Sequence, residues 1–430
     1  MERRDFLKLA GITGLSVGSA ALLGRAWAEG DYADPSNPGP QAAGEYSGPF
    51  FVMLQLTGGW DPTMCCDPKG GVVNASFNVD QIQTVGDIKY APTPGVPEFF
   101  TAHGNKTMVL NGIDMATNSH DAGRRHMASG RLGEGYPNLA ALIAGATAPQ
   151  YPMSFLTFGG YDRTQGTVAP TRNGNQDRLQ ELAYPHRINP GDEASAEYHQ
   201  PAAKDIIAEA RASRAAALQA QQRLPRYEAA LDTMMTARLG SEELQLLQEV
   251  LPEPDANGDN RKVQLMMAAN RAGICVSANL AIGGFDTHDD HDNRQNTRIN
   301  QAMSLLGFIW DEAERQQVAD NMVVVVGSDF GRKPQYNADN GKDHWFVSSM
   351  MIMGTGVPGG TVVGASTDMH DPRMLDPSTL QPTDDETIGV RLQPAHIHKG
   401  IRKLMGVDGT DFDGLFPLSV PEDEELDILA

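Results

Sequence analysis

Six apolar runs of strand length punctuate the chain: Phe50–Leu56, Met108–Gly112, Met153–Phe158, Ile274–Ile282, Met322–Gly327 and Ser348–Met353. They are nearly continuous rather than alternating, which predicts strands covered on both faces of a parallel sheet. Helical patterns lie between several of them, including Asn138–Ala146 and Thr297–Gln317. Strands and helices in alternation predict an α/β protein, a doubly wound and mostly parallel sheet flanked by helices. Residues 201–250 break this rhythm. Ala, Gln, Glu, Arg and Leu dominate there, and Pro225 divides two helical stretches. Either a helical insertion over about 195–250 or two ordinary crossover helices accounts for them.

Polar residues follow the strands in a consistent way. Phe50–Leu56 runs through Thr57-Gly58-Gly59-Trp60 to Asp61. Met108–Gly112 runs to Asp114, Thr117, Ser119, His120 and Asp121. Ile274–Ile282 is followed by Asp286, His288 and His291, and Met322–Gly327 by Ser328, Asp329 and Arg332. A further segment, Asp343-His344, precedes the last strand. Parallel sheets carry their sites at the carboxyl ends of strands, so these segments are expected to meet at one rim. Converging carboxylates and imidazoles need a compensating cation, which suits a divalent metal: zinc first, with manganese or iron as alternatives. Each segment alone is a weak signal, since an isolated Asp after a Gly-Gly turn is more often a turn residue or a helix cap.

Charge narrows the function further. The 430 residues carry 34 Lys and Arg against 55 Asp and Glu, a net charge of −21. A nucleic-acid binder would need a basic face, so that class is set aside. The N-terminus reads as an address. Arg3 and Arg4, a mild apolar run from Leu9 to Leu23, and Ala26-Trp27-Ala28 make a twin-arginine export signal over residues 1–28. An uncleaved anchor is the alternative. Residues 29–46 read as a Pro/Gly/Ser-rich linker, 47–415 as the folded domain, and 416–430 as an acidic, solvated tail. The expected location is periplasmic or secreted, with the export machinery as partner. No transmembrane segment is expected after signal removal.

Lesser features have bland readings beside sharp ones. Asp255-Ala256-Asn257-Gly258-Asp259 has calcium-loop spacing but lacks the later Gly and Glu, so a polar loop is expected. Met64-Cys65-Cys66 suits copper, or a disulfide from one of these cysteines to Cys275. His396 and His398 do not share a helix face, and no site is expected there.

Gly58-Gly59-Trp60-Asp61, Gly284-Phe285-Asp286-Thr287-His288, Ser328-Asp329-Phe330-Gly331-Arg332 and Asp343-His344-Trp345 resemble the family called domain of unknown function 1501. That family resembles the alkaline phosphatase superfamily, which includes sulfatases. The resemblance implies an alkaline-phosphatase-like fold and an exported, metal-dependent hydrolase of phosphate or sulfate esters, acting on a small anionic substrate. Its metal ligands would be Asp61, Asp286, His288, His291, Asp329, Asp343 and His344. Ser119, or a water activated by the metal, would attack, and Arg332 or Arg124 would steady the oxyanion. Two departures stand out: His120 occupies the nucleophile's place, and Phe330 stands where a histidine is expected. A non-catalytic periplasmic binding or assembly protein on the same fold is therefore the alternative.

Overall fold

The apolar runs pair into one eight-stranded sheet. In this computed structural model residues 46–172, 180, 181, 183–221, 224, 227 and 241–429 are described. The export signal, the linker up to residue 45 and Pro225 lie outside them. The strands are β1 (Phe50–Leu56), β2 (Thr107–Asp114), β3 (Phe155–Phe158), β4 (Pro170–Arg172), β5 (Ser277–Ile282) and β6 (Met322–Ser328). A hairpin of β7 (Gly331–Tyr336) and β8 (Lys342–Trp345) follows, then β9 (Val347–Gly354) and β10 (Thr361–Val363) return to the sheet. The spatial order is β10-β2-β9-β6-β1-β5-β3-β4.

Every neighbouring pair is parallel except the two that involve β9. The run Ser348–Met353 is therefore not one of the parallel strands that its apolar pattern suggested. Burial on both faces makes a strand uniformly apolar whichever way it runs, so composition carries no direction. The reversal matters for the site. An antiparallel β9 starts at the rim where β1, β2, β5 and β6 end, and so brings the hairpin before it to that rim.

Alternate residues of β1 enter two cores. Phe50, Val52, Leu54 and Leu56 face one, and Phe51 and Met53 the other. Helices α1 (Val96–His103), α6 (Gly258–Arg271) and α7 (His291–Arg315) contribute Phe99, Met266 and Ile309 to the first core. Helices α2 (His120–Ser129), α3 (Leu139–Thr147) and α8 (Pro394–Leu404) contribute Met127, Leu142 and Ile397 to the second. The architecture is thus a doubly wound, mostly parallel α/β sandwich. Between β4 and β5 lie α4 (Pro201–Gln221) and α5 (Ser241–Val250). Ala215 is the buried residue of α4, whereas α5 seats Leu246, Leu247 and Val250 in the first core.

The acidic tail departs from the expected solvated segment. Leu426 and Ile428 are buried in the second core, and Lys399 and Lys403 of α8 pair with Glu425 and Asp427. Apolar residues spaced two apart let the acids between them stay in water. Asp255 and Asn257 form a turn and the cap of α6, with Asn257 Oδ1 accepting from the Asp259 amide at 2.9 Å. Cys65, Cys66 and Cys275 are buried free thiols. Burial pushes the Cys275 thiol up to about 12, which disfavours the thiolate that binds soft metals. No helix among the described residues is long and apolar enough to cross a membrane.

Candidate metal centre

The rim gathers histidines from three segments of the chain onto one carboxylate. Asp286 follows β5 after a turn through Gly283 and Gly284. His344 Nε2 lies 3.2 Å from Asp286 Oδ1, His288 Nε2 3.1 Å from the same atom, and His120 Nε2 3.5 Å from Oδ2. His288 Nε2 and His344 Nε2 are themselves 3.0 Å apart. His120, Asp286 and His344 each offer one ligand atom, all within 4.8 Å of one another.

Each histidine is held from behind through its other nitrogen. His120 Nδ1 meets Asp329 Oδ2 at 2.6 Å, His288 Nδ1 meets Asp343 Oδ1 at 3.3 Å, and His344 Nδ1 donates to the Asn118 carbonyl at 2.8 Å. Such outer partners set the tautomer and turn the Nε2 lone pair toward a metal. Two imidazole lone pairs and a carboxylate oxygen then form a triangle with sides of 3.0, 3.1 and 3.2 Å. A zinc ion with bonds of about 2.0–2.1 Å has ligand–ligand edges of about 3.3 Å, so the triangle suits one face of a tetrahedral site. Without a cation or an extra proton, these acceptors repel one another.

The local electrostatics pull positive charge inward. The Asp329 hydrogen bond, outweighing partial burial, raises the His120 imidazole above its ordinary range. Burial pushes the His344 ring down despite the Asn118 carbonyl, which favours the neutral form that ligates. Asp286 is held at about 2: burial opposes its ionisation, and the Arg332 guanidinium and His344 outweigh burial.

The other expected ligands lie elsewhere. Asp329 stands behind His120. It is buried, and its carboxylate accepts from the Gly58 and Gly59 amides at 2.9 and 2.8 Å and from Ser328 Oγ at 3.0 Å. Asp343 stands behind His288. Asp61 and His291 form a separate, fully buried group with Lys342. The sequence pattern did not single out Lys342 as a partner of Asp61. The register of the hairpin shifts between Lys342, which faces Tyr336, and His344, which faces Arg332. In a regular strand those two side chains would share a face; here one is buried beside Asp61 and the other reaches the rim.

Arg332 is also buried. Its Nε donates to the Gly59 carbonyl at 2.8 Å, Nη1 to Lys342 O at 2.9 Å, and Nη2 to Gly58 O, to Phe285 O and, at 2.8 Å, to Asp286 Oδ1. Its donors orient the rim and hold Asp286 rather than facing solvent. Arg124 pairs with Asp121 on its own helix at 2.7 Å. Ser119 caps α2 in an extended conformation, exposed, with its hydroxyl making no cap bond. Phe330 packs between two of the histidines, its ring 4.8 Å from His120 and 4.3 Å from His344. Gly59 allows that packing. With φ +80°, a Cβ there would sit 2.4 Å from Phe330 Cε2. Gly59→Ala should therefore cost about 1–3 kcal/mol in a denaturant titration and loosen the His120–Phe330–His344 stack.

The fold and rim define a doubly wound α/β protein with a histidine–carboxylate cluster at its strand ends. The chain belongs to the family described as protein of unknown function (DUF1501), whose model matches residues 96–408. No curated protein matches it in sequence. Solved structures similar to it include the PsFucS1 sulfatase from Pseudoalteromonas sp., at 10% identity over 84% of this chain and 68% of that one, TM-score 0.36. The lipoteichoic acid synthase LtaP from Listeria monocytogenes is similar at 10% identity over 93% and 77%, TM-score 0.36. A TAB5 alkaline phosphatase mutant is similar at 10% over 74% and 95%, TM-score 0.30. At these scores no residue role follows from the likeness.

Proposed function

We propose that the chain is an exported, metal-dependent hydrolase of phosphate or sulfate esters, with one divalent ion held by Asp286, His288, His344 and His120. The observation that supports it is the convergence of three Nε2 atoms on one carboxylate, each ring braced through Nδ1. Zinc suits this nitrogen-rich set best, and manganese or iron would also accept it. A bound divalent ion would polarise the ester and neutralise its developing charge.

The chain's own groups would do the rest. Asp329 braces His120 through Nδ1 at 2.6 Å, which leaves Nε2 to ligate. Ser119 offers an uncommitted hydroxyl at the start of α2, where helix amides favour an anion. Beside the Asp286 loop lies a cavity of about 340 Å³ lined by Gly284, Asp290, Asn293, Arg294, Thr297 and Arg298. None of the three histidines lines it, but Arg294 Nη2 donates to the Asp286 carbonyl at 3.0 Å. It would take the non-reacting, anionic part of a substrate. Export through the twin-arginine route agrees with a protein that folds around a metal before crossing the membrane.

A second reading, a non-catalytic binding or assembly protein, draws on one observation: Arg332 is committed to backbone carbonyls and Asp286, so it is not free to clamp an oxyanion. Elemental analysis of the exported protein, followed by a screen of aryl phosphate and sulfate esters, separates the two. About one equivalent of metal with ester turnover supports the hydrolase, and folded, metal-free, inert protein overturns it. Asp343→Ala should weaken metal affinity roughly 10–100-fold in a chelator competition while leaving the fold intact, because it removes the brace behind His288 and no ligand.

A further inference from the structure

We propose that Lys342 is a built-in cation: its ammonium fills the place beside Asp61 that a second metal ion would take, and the protein holds one ion rather than two. The single-ion part rests on the metal centre proposed above; the Lys342 part stands on its own geometry.

Lys342 and Asp61 are both fully buried. Lys342 Nζ donates to Asp61 Oδ2 at 2.7 Å and to Asn74 Oδ1 at 2.6 Å, and lies 5.1 Å over the Tyr336 ring. Asp61 also accepts from Thr63 N at 2.9 Å, Thr63 Oγ1 at 2.5 Å and His291 Nε2 at 3.0 Å. The Asp61 carboxylate and the Asn74 amide oxygen meet at the ammonium, and the Thr63 hydroxyl and the His291 imidazole meet the same carboxylate; oxygen and imidazole donors of these kinds are ones that a divalent cation accepts. The ammonium stands among them instead.

Charge explains why this arrangement holds without metal. Asp61 is the single carboxylate in contact with Lys342 Nζ among the described residues. One positive charge neutralises it, so the pair is buried with no net charge. Burial works against ionised Asp61, and Lys342 together with His291 outweighs it and holds the carboxyl well below its usual range. The lysine is also tied to the rim, since its carbonyl accepts from Arg332 Nη1 at 2.9 Å and Arg332 in turn holds Asp286.

The test counts metal on the full chain. Wild type, Lys342→Ala, and Lys342→Ala combined with Asp61→Asn are equilibrated with manganese(II) or zinc(II), desalted and analysed, with melting curves recorded alongside. Wild type should retain about one equivalent, lost in Asp286→Ala. Lys342→Ala should retain about two and gain more thermal stability from added metal than wild type does. The second equivalent should vanish in the double variant. Folded Lys342→Ala that takes up no additional ion overturns the proposal. Should Lys342→Ala not fold even with metal, wild type decides: a second equivalent that disappears in Asp61→Asn overturns it, and saturation at one supports it. A wild type that binds nothing overturns the metal centre alone. Uptake of one ion by Lys342→Ala, dependent on Asp61, would then still sustain the role of the lysine.

Discussion

Asp61→Ala should destabilise the protein by about 3–5 kcal/mol, because it leaves the Lys342 ammonium buried and unpaired. Both side chains are at 0% exposure and meet at 2.7 Å, so water cannot replace the lost partner. Denaturant unfolding of the metal-free protein measures the loss. Replacing the pair together, Asp61→Leu with Lys342→Met, should recover most of it, since a buried ion pair is often no more stabilising than apolar side chains of similar volume. If the single and the double replacements are equally unstable, the loss comes from packing and not from the bare charge.

The same pair sets an acid limit. A carboxyl held below its unfolded value contributes stability that is complete above about pH 4 and fades as the pH falls further. His291 acts in the same direction. Burial lowers its ring despite Asp61, so below about pH 6.5 the unfolded chain takes up a proton that the folded ring resists. Stability should therefore decline gently below about pH 6.5 and more steeply below about pH 4. The steep part should flatten in Asp61→Ala.

His344→Ala should remove the bound metal and with it any ester hydrolysis. The loss of affinity should exceed the roughly 10–100-fold expected for an outer partner such as Asp343. His344 Nε2 touches both Asp286 and His288, so its removal opens the triangle and leaves at most two close donors besides His120. The measurement is metal content after dialysis against a mild chelator, with circular dichroism to show that the fold persists. The ring is about a quarter exposed and lies outside the hydrophobic cores, so a large loss of stability is not expected. Retention of a full equivalent of metal would count against the proposed centre.

Much of this protein is written in its sequence, and the part that is not has a definite physical origin. The nearly continuous apolar runs at 50–56, 274–282 and 322–327 point to buried central strands, because a sheet covered on both faces needs them. The polar residues just beyond those runs determine that Asp286, His288, Asp329 and Asp61 lie near one rim. Which of them face one another was settled by tertiary structure alone. The direction of β9 has no mark in its composition, yet it carries His344 to the rim. His344 and Lys342 stand two residues apart in the chain across a shift in the hairpin's register, yet one reaches the rim and the other is buried. Lys342 and Asp61 are 281 positions apart, and no local pattern predicts that an ammonium will meet that carboxylate. Burial and charge pairing are long-range properties: they depend on which surfaces the finished fold removes from water, and that is decided only when the strands, the hairpin and α7 close around them.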